Sequence, residues 1–182
     1  MRVALEFPVE QEVVTGDLVT TTFTPMAVPP LVVAGSSVRG WIFHGDELVL
    51  VCDRERGWEL PSGVRQPGET HREAFERLAW ERAGILLARP RLVGTLRTLG
   101  RGDLSPNAPL LAADMIPCFV AEATDLMPLT DEFEAADRLL IEPALVHAYL
   151  KPWNRLMDET LAYVLAVRAP ATVARPVRQF AS

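Results

Sequence analysis

The stretch that most constrains this chain is GWELPSGVRQPGETHREAFERLAWERAGI, residues 57–85. Its Pro-Ser-Gly and Pro-Gly steps predict two tight turns, because proline and glycine favour turn conformations. A helix over about residues 70–83 follows, since Thr70 suits the N-cap and Glu73, three residues on, completes a capping box. Gly84 suits the C-terminal stop. The stretch therefore predicts a turn–turn–helix unit, with acidic side chains before and inside the helix.

The rest of the chain predicts short strands mixed with helices and no regular strand–helix alternation, which favours an α/β (α+β) sandwich with a mixed sheet between helices. Residues 1–35 form a β-like N-terminal extension, residues 36–168 the main domain and residues 169–182 a tail. Pro117, inside a predicted strand, indicates a bulge or an edge strand. Helices are expected from Pro143 through Leu150 and from near Pro152. Strands are predicted in EVVTGDLVTTTFT, VRGWIF, ELVLVC, RLVGTLRTL, ADMIPCFVAEA and ADRLLIE, and the expected core includes Val49, Val51, Phe75, Ala79, Phe119 and Leu165.

Composition excludes several classes of function. The net charge of −6 argues against general binding to nucleic acid or to anionic membranes, which need a basic surface. No apolar run reaches the length of a membrane span, and the N-terminus lacks the apolar segment of a signal peptide. Cys52 and Cys118 have no metal-ligand spacing and are expected as buried thiols in a reducing compartment, the cytoplasm. A phosphate ligand would need a metal or a local arginine cluster.

Residues 57–85 resemble the Nudix (MutT-like) hydrolase motif GX5EX7REUXEEXGU, in which U is aliphatic. Gly63, Glu69, Arg77, Gly84 and Ile85 fit this spacing without a gap. The resemblance covers roughly residues 36–168 and implies a Nudix-like α/β/α sandwich. It also implies hydrolysis of diphosphates with Mg²⁺ or Mn²⁺ in active members, and an ion pair between Glu69 and Arg77 that braces the loop against the helix.

The motif departs from the family at its metal ligands. Leu78 and Arg82 stand where the family has glutamates, and only Glu81 is retained. A helix turns about 100° per residue, so these three side chains share one face. Their charges sum to zero, and a cation at position 82 would repel a divalent ion. The sequence therefore predicts that a magnesium site is not formed in the usual way.

Other residues are candidates for parts of a divergent site. Glu81 and Glu69 are the catalytic candidates, and both could join a metal site with Glu132 and Glu134 of a late acidic loop. Arg82 could hold a phosphate through a bidentate guanidinium contact, or it could face solvent at the helix end. His71, on the same helix face as Leu78, could also touch a phosphate, although a solvated histidine is the simpler expectation.

Three interpretations follow. The first is a Nudix-fold protein that binds a nucleoside-diphosphate-type or other phosphorylated ligand, with hydrolase activity weak or lost and with no required cofactor. The second is an active metal-dependent diphosphate hydrolase with a divergent site. The third is a scaffold or homodimerisation module that uses residues 1–35. The substrate is not identified by any further motif.

Overall fold

The computed structural model describes residues 7–8, 10–14, 17–26, 37–101 and 114–168. The loop expected after residue 99 falls mostly outside these ranges, as do the tail and much of the N-terminal extension. Two helices and nine strands lie within them. The helices are α1 (His71–Ala83) and α2 (Arg155–Arg168), and a 3-10 helix spans Pro143–Ala148. The strands are β1 (Glu10–Val14), β2 (Asp17–Pro25), β3 (Ser37–His44), β4 (Glu47–Asp53), β5 (Gly57–Glu59), β6 (Ser62–Val64), β7 (Ile85–Arg101), β8 (Asp114–Leu126) and β9 (Asp137–Ile141).

The nine strands form one mixed sheet in the order β1-β2-β7-β8-β3-β4-β5, with β6 paired to β3 and β9 paired to β4. Only β3 and β8 run parallel; the other described pairs are antiparallel. β8 lies between β7 and β3, so Pro117 is not in an edge strand; of the two expected alternatives, the bulge agrees with a register shift between Leu92 and Gly94 of β7, opposite Phe119 and Cys118. The ladder with β3 begins at the next residue, Cys118, which removes the need for a proline N–H on that side.

Apolar side chains cover both faces of the sheet. One cluster packs α1 against β3, β4 and β8, and the other packs α2 against β2, β3 and β7. This layering confirms the predicted sandwich of a mixed sheet between helices. The expected core residues are buried except Leu165, which is only partly buried and packs against the α2-side cluster.

The ends of α1 follow from local sequence. Thr70 Oγ1 accepts from the Glu73 backbone N–H at 3.2 Å, and the Thr70 N–H donates to Glu73 Oε2 at 2.7 Å. Gly84 ends the helix in the left-handed conformation with φ 60°, which glycine adopts without steric cost. The capping box and the glycine stop are confirmed.

The N-terminal strands extend the sheet. β2 pairs along its length with β7, and Phe23 of β2 is buried in the α2-side cluster. The 3-10 helix begins at Pro143, as expected, but ends at Ala148 and not at Leu150. The described part of the extension is therefore continuous with the main domain.

Candidate functional site

Leu78 lies beside Gly63, which belongs to strand β6 and not to the tight Pro-Ser-Gly turn that the sequence predicts. Its side chain is buried in the α1-side core. A Cβ atom added to Gly63 would lie 2.5 Å from Leu78 Cδ2, so the β6 backbone touches the leucine directly. The position at which the resemblance expects a carboxylate therefore holds apolar contact between the helix and β6.

Arg77 joins the loop to the helix through two carboxylates. Its Nε lies 2.6 Å from Glu69 Oε1, its Nη2 lies 3.0 Å from Glu69 Oε2, and its Nη1 lies 2.7 Å from Glu81 Oε2. The hydrogen bonds from Arg77, and then the Gln66 backbone N–H, hold the pKa of Glu69 below its usual value. The expected ion pair is present. The same guanidinium also forms an ion pair with Glu81, the one metal-ligand glutamate of the motif that the chain retains.

Arg82 is buried and surrounded by oxygen atoms from distant parts of the chain. Its Nη2 lies 2.6 Å from Glu59 Oε1 and 3.1 Å from Asp53 Oδ2, and its Nη1 donates to the Ser62 carbonyl at 2.7 Å. Only 6% of its side chain is exposed, so the expectation of a solvent-facing arginine is wrong. The guanidinium points inwards because two carboxylates from β4 and β5 meet it there.

Arg56 completes this ion cluster, which we define as Asp53, Arg56, Glu59 and Arg82. Arg56 Nη2 lies 2.8 Å from Asp53 Oδ2 and 3.3 Å from Glu59 Oε1. The side-chain hydrogen bond from Arg56, with backbone N–H donors of residues 56 and 55, holds the pKa of Asp53 far below its usual value. Two carboxylates and two guanidinium groups leave the ion cluster without net charge.

The remaining candidates lie at different depths. His71 is buried at the start of α1, which corrects the expectation of a solvated ring. Burial, and then the charge of Arg65, lowers its pKa. Glu134 is exposed, with Oε2 4.0 Å from Arg82 Nε, while its backbone N–H donates to the Glu81 carbonyl. Glu132 is exposed and pairs with no cation among the described residues.

The chemistry of these side chains does not fit a magnesium site. Hard divalent cations take oxygen ligands, whereas position 78 offers a hydrocarbon and position 82 a cation. The carboxylates of Glu69 and Glu81 are already bound by Arg77. Within the described ranges no three His, Cys, Asp or Glu side chains are grouped so that they could hold a metal ion. No catalytic step can be assigned through a metal here.

A cavity of about 470 Å³ lies next to the ion cluster, on the α2 side of the sheet. Glu59 and Ser62 belong to both, because they line the cavity and also contact Arg82. Arg39 of β3 and Lys151, just before α2, contribute cationic side chains to the lining, and Trp58 contributes an aromatic ring.

The sequence motif did not identify Asp53, Glu59, Arg39 or Lys151 as site residues. A signal was present for Arg39, because strand alternation places it on the same face of β3 as the buried Trp41 and Phe43. A charged residue at a core-facing position is uncommon and marks a cavity or a site. No local pattern pointed to the pairing of Asp53 with a residue 29 positions later.

The family model described as NUDIX domain matches residues 34–162 of the chain. The chain belongs to the Nudix family. Comparison with curated proteins gives no match.

Solved structures of Nudix proteins share the fold at low sequence identity. A mutant form of the Bacillus subtilis pyrophosphohydrolase BsRppH has a TM-score of 0.60 and 20% identity over 81% of this chain and 89% of its own. The NUDIX domain of Shewanella oneidensis NrtR, complexed with ADP ribose, has a TM-score of 0.55 and 12% identity over 75% and 90%. A NUDIX hydrolase from Nitrosomonas europaea has a TM-score of 0.52 and 18% identity over 74% and 90%.

Neither helix of the described chain, nor its 3-10 turn, has the length and apolar content that crossing a bilayer requires.

Proposed function

We propose that this Nudix protein binds a nucleoside-diphosphate-type or related phosphorylated ligand and that its hydrolase activity is weak or lost. The observation that carries the proposal is Arg82, a cation at a metal-ligand position, held by Glu59 and Asp53 at 2.6 and 3.1 Å. Packing of Leu78 against Gly63 supports it, because a buried leucine supplies no oxygen ligand.

The ligand class is supported by the family and by the cavity. The NUDIX domain of Shewanella oneidensis NrtR is complexed with ADP ribose, and the Bacillus subtilis relative is a pyrophosphohydrolase. The cavity of about 470 Å³ lies within the range of roughly 300–1,000 Å³ that is typical for small-molecule sites. Its cations and its tryptophan suit an anionic ligand with a ring. A cytoplasmic location and a homodimer stay sequence-based predictions.

An active hydrolase with a divergent metal site is the alternative. Glu81 is 42% exposed at its side chain, and the Glu134 backbone N–H donates to the Glu81 carbonyl, so two acidic residues are neighbours at the helix end. For metal binding, however, Arg77 would have to release Glu69 and Glu81, which leaves its own guanidinium without either carboxylate partner. The loss of these two ion pairs makes metal binding at this site less favourable.

Calorimetric titration separates the two functions. Mg²⁺ and Mn²⁺ are titrated into the wild type, into Glu81→Gln and into Glu76→Gln, an exposed control on the same helix. ADP and ADP-ribose are titrated in parallel. We expect no sub-millimolar metal binding, with at least one phosphorylated ligand bound. Sub-millimolar Mg²⁺ binding that Glu81→Gln abolishes and Glu76→Gln leaves intact would establish the divergent site instead.

A further inference from the structure

The cavity on the α2 side of the sheet is lined by both acidic and basic side chains, and these differ in the partners that they have. Two carboxylates line it, and both already have partners. Glu10 Oε1 accepts from the Leu156 backbone N–H at 3.2 Å in the first turn of α2, and Glu59 is held by Arg82 and Arg56. These acids therefore have donors of their own and do not depend on the cations of the lining.

The two cations of the cavity lining have no carboxylate partner among the described residues. Arg39 is half-buried in β3, and its guanidinium forms no ion pair or hydrogen bond with the described residues, whereas its backbone pairs within the sheet. Lys151 Nζ donates to the His147 carbonyl at 3.0 Å but meets no carboxylate within the described part of the chain. A half-buried guanidinium without a counter-ion is unfavourable unless an anion or ordered water satisfies it. The two cationic side chains of the lining could therefore bind an anion.

Other residues of the lining are apolar. Leu96 and Ile116 of the sheet and Leu156 of α2 contribute hydrocarbon surface, and Trp58 contributes an indole ring. The ring of Trp58 makes an edge-to-face contact with the ring of Tyr149, with centroids 6.2 Å apart. A fixed aromatic face can stack a planar ring of a ligand. The lining therefore combines cationic side chains with an aromatic ring and hydrocarbon surface.

We propose that this cavity binds an organic phosphate without a divalent metal, with Arg39 and Lys151 neutralising the phosphate and Trp58 contacting the ring. The inference rests on the proposed function and adds to it the residues and the independence from metal. The physical reason is that two cationic side chains supply the charge that a metal would otherwise supply. Although Glu59 also lines the cavity, its ion pairs with Arg82 and Arg56 offset its negative charge.

Calorimetry in excess EDTA tests the proposal with four probes: ADP, ADP-ribose, inorganic pyrophosphate and uncharged adenosine. The variants are Arg39→Gln and Lys151→Gln, with Arg72→Gln as control, because Arg72 is an exposed arginine on α1, 58% exposed at its side chain. Thermal melting verifies that each variant is folded. Lys151 is on the surface, so its variant tests the site even where Arg39→Gln fails to fold.

We expect ADP or ADP-ribose to bind in EDTA and adenosine to bind at least tenfold more weakly. Arg39→Gln and Lys151→Gln should each weaken binding by about tenfold or more, because each removes a charge-assisted contact. Arg72→Gln should bind as the wild type does. Binding should also weaken with added salt.

Three outcomes overturn the inference: no phosphate probe binds with or without Mg²⁺, phosphate probes bind only with added Mg²⁺, or both cation variants bind as the wild type does. Phosphate binding that requires Mg²⁺ overturns the metal independence alone and leaves ligand binding intact. Rapid turnover of a bound probe with Mg²⁺ would instead overturn the proposed function.

Discussion

Arg82 shows how one residue changes what a motif of unchanged spacing can do. Where the resemblance expects a carboxylate, a guanidinium lies between Asp53 and Glu59 and also binds the Ser62 carbonyl. A carboxylate in its place would face two others across a partly buried space, and like charges at such distances repel. Arg82 and its two acids therefore form one unit.

The first prediction concerns the stability that this unit provides. Arg82→Gln should lower the free energy of unfolding by about 2 kcal/mol or more, because it removes the buried partner of two carboxylates. The Arg56 side chain is 62% exposed, so Arg56→Gln should lower the free energy of unfolding by only about 0–1 kcal/mol. Urea denaturation measures both. Equal small losses in the two variants would show that the buried contacts of Arg82 do not stabilise the fold.

Some site residues were predictable from the sequence and others were not. The motif resemblance predicted the ion pair of Glu69 and Arg77, and a short loop brings the two residues together. Leu78 was recognised as a departure from the motif. The partners of Arg82 were not predicted, because Asp53 and Glu59 reach it only after β4, β5 and α1 have packed together.

At the scale of elements, α1 is specified by interactions within a few residues. Thr70, Glu73 and Gly84 set its ends, and these contacts depend on local spacing alone. Its first residue was harder to place. His71 is buried although a histidine at a helix start is usually solvated, and its environment includes the charge of Arg65, which is distant from it in the local helix pattern.

The second prediction concerns the pH dependence of stability through His71. Its folded-state pKa is lowered by burial and by Arg65, so below about 6.5 the unfolded chain binds the proton first. The free energy of unfolding should therefore have its full value above that pH and should decrease as the pH falls towards the folded-state pKa of His71. His71→Gln should show a smaller loss of Tm between about pH 7.5 and 5.5 than the wild type.

His147→Gln is the control, because His147 is exposed. It should follow the wild-type curve in the same melting series. A wild-type curve that is flat over this range, or one that His147→Gln alters and His71→Gln does not, would contradict the assignment. The lowered pKa values of Asp53 and Glu69 act below this window, so they do not confound it.

At the scale of the whole molecule, the sheet order and the cavity were not predictable from periodicity. Strand patterns predicted individual strands, but the pairing of β2 with β7 joins distant parts of the chain, such as Phe23 and Leu96. The cavity needs β3, β5, β7, β8 and the start of α2 together. Fold class was accessible because the turn–helix motif is local, whereas the site is assembled from long-range contacts.

The third prediction tests whether the N-terminal strands belong to the core. Phe23 of β2 packs its ring 4.8 Å from Phe7 and 6.0 Å from Tyr163, measured between ring centroids. Phe23→Ala should lower the free energy of unfolding by about 3–5 kcal/mol. Met26→Ala, at a residue 68% exposed, should change it by less than about 0.5 kcal/mol. A decrease in the free energy of unfolding for Phe23→Ala as small as that for Met26→Ala would show that the N-terminal strands do not contribute to the core.

The most direct test of the weakened metal site is Mg²⁺-dependent hydrolysis by the wild type and by the double variant Leu78→Glu/Arg82→Glu. Initial rates are measured on ADP-ribose and a panel of nucleoside diphosphate derivatives. The variant gains two carboxylates beside Glu81, although it loses the packing of Leu78 and leaves Asp53 and Glu59 without Arg82. We predict a wild-type rate at the background level and a higher Mg²⁺-dependent rate in the folded variant. A wild type that already hydrolyses these compounds as fast as the variant, and that Glu81→Gln inactivates, would contradict it.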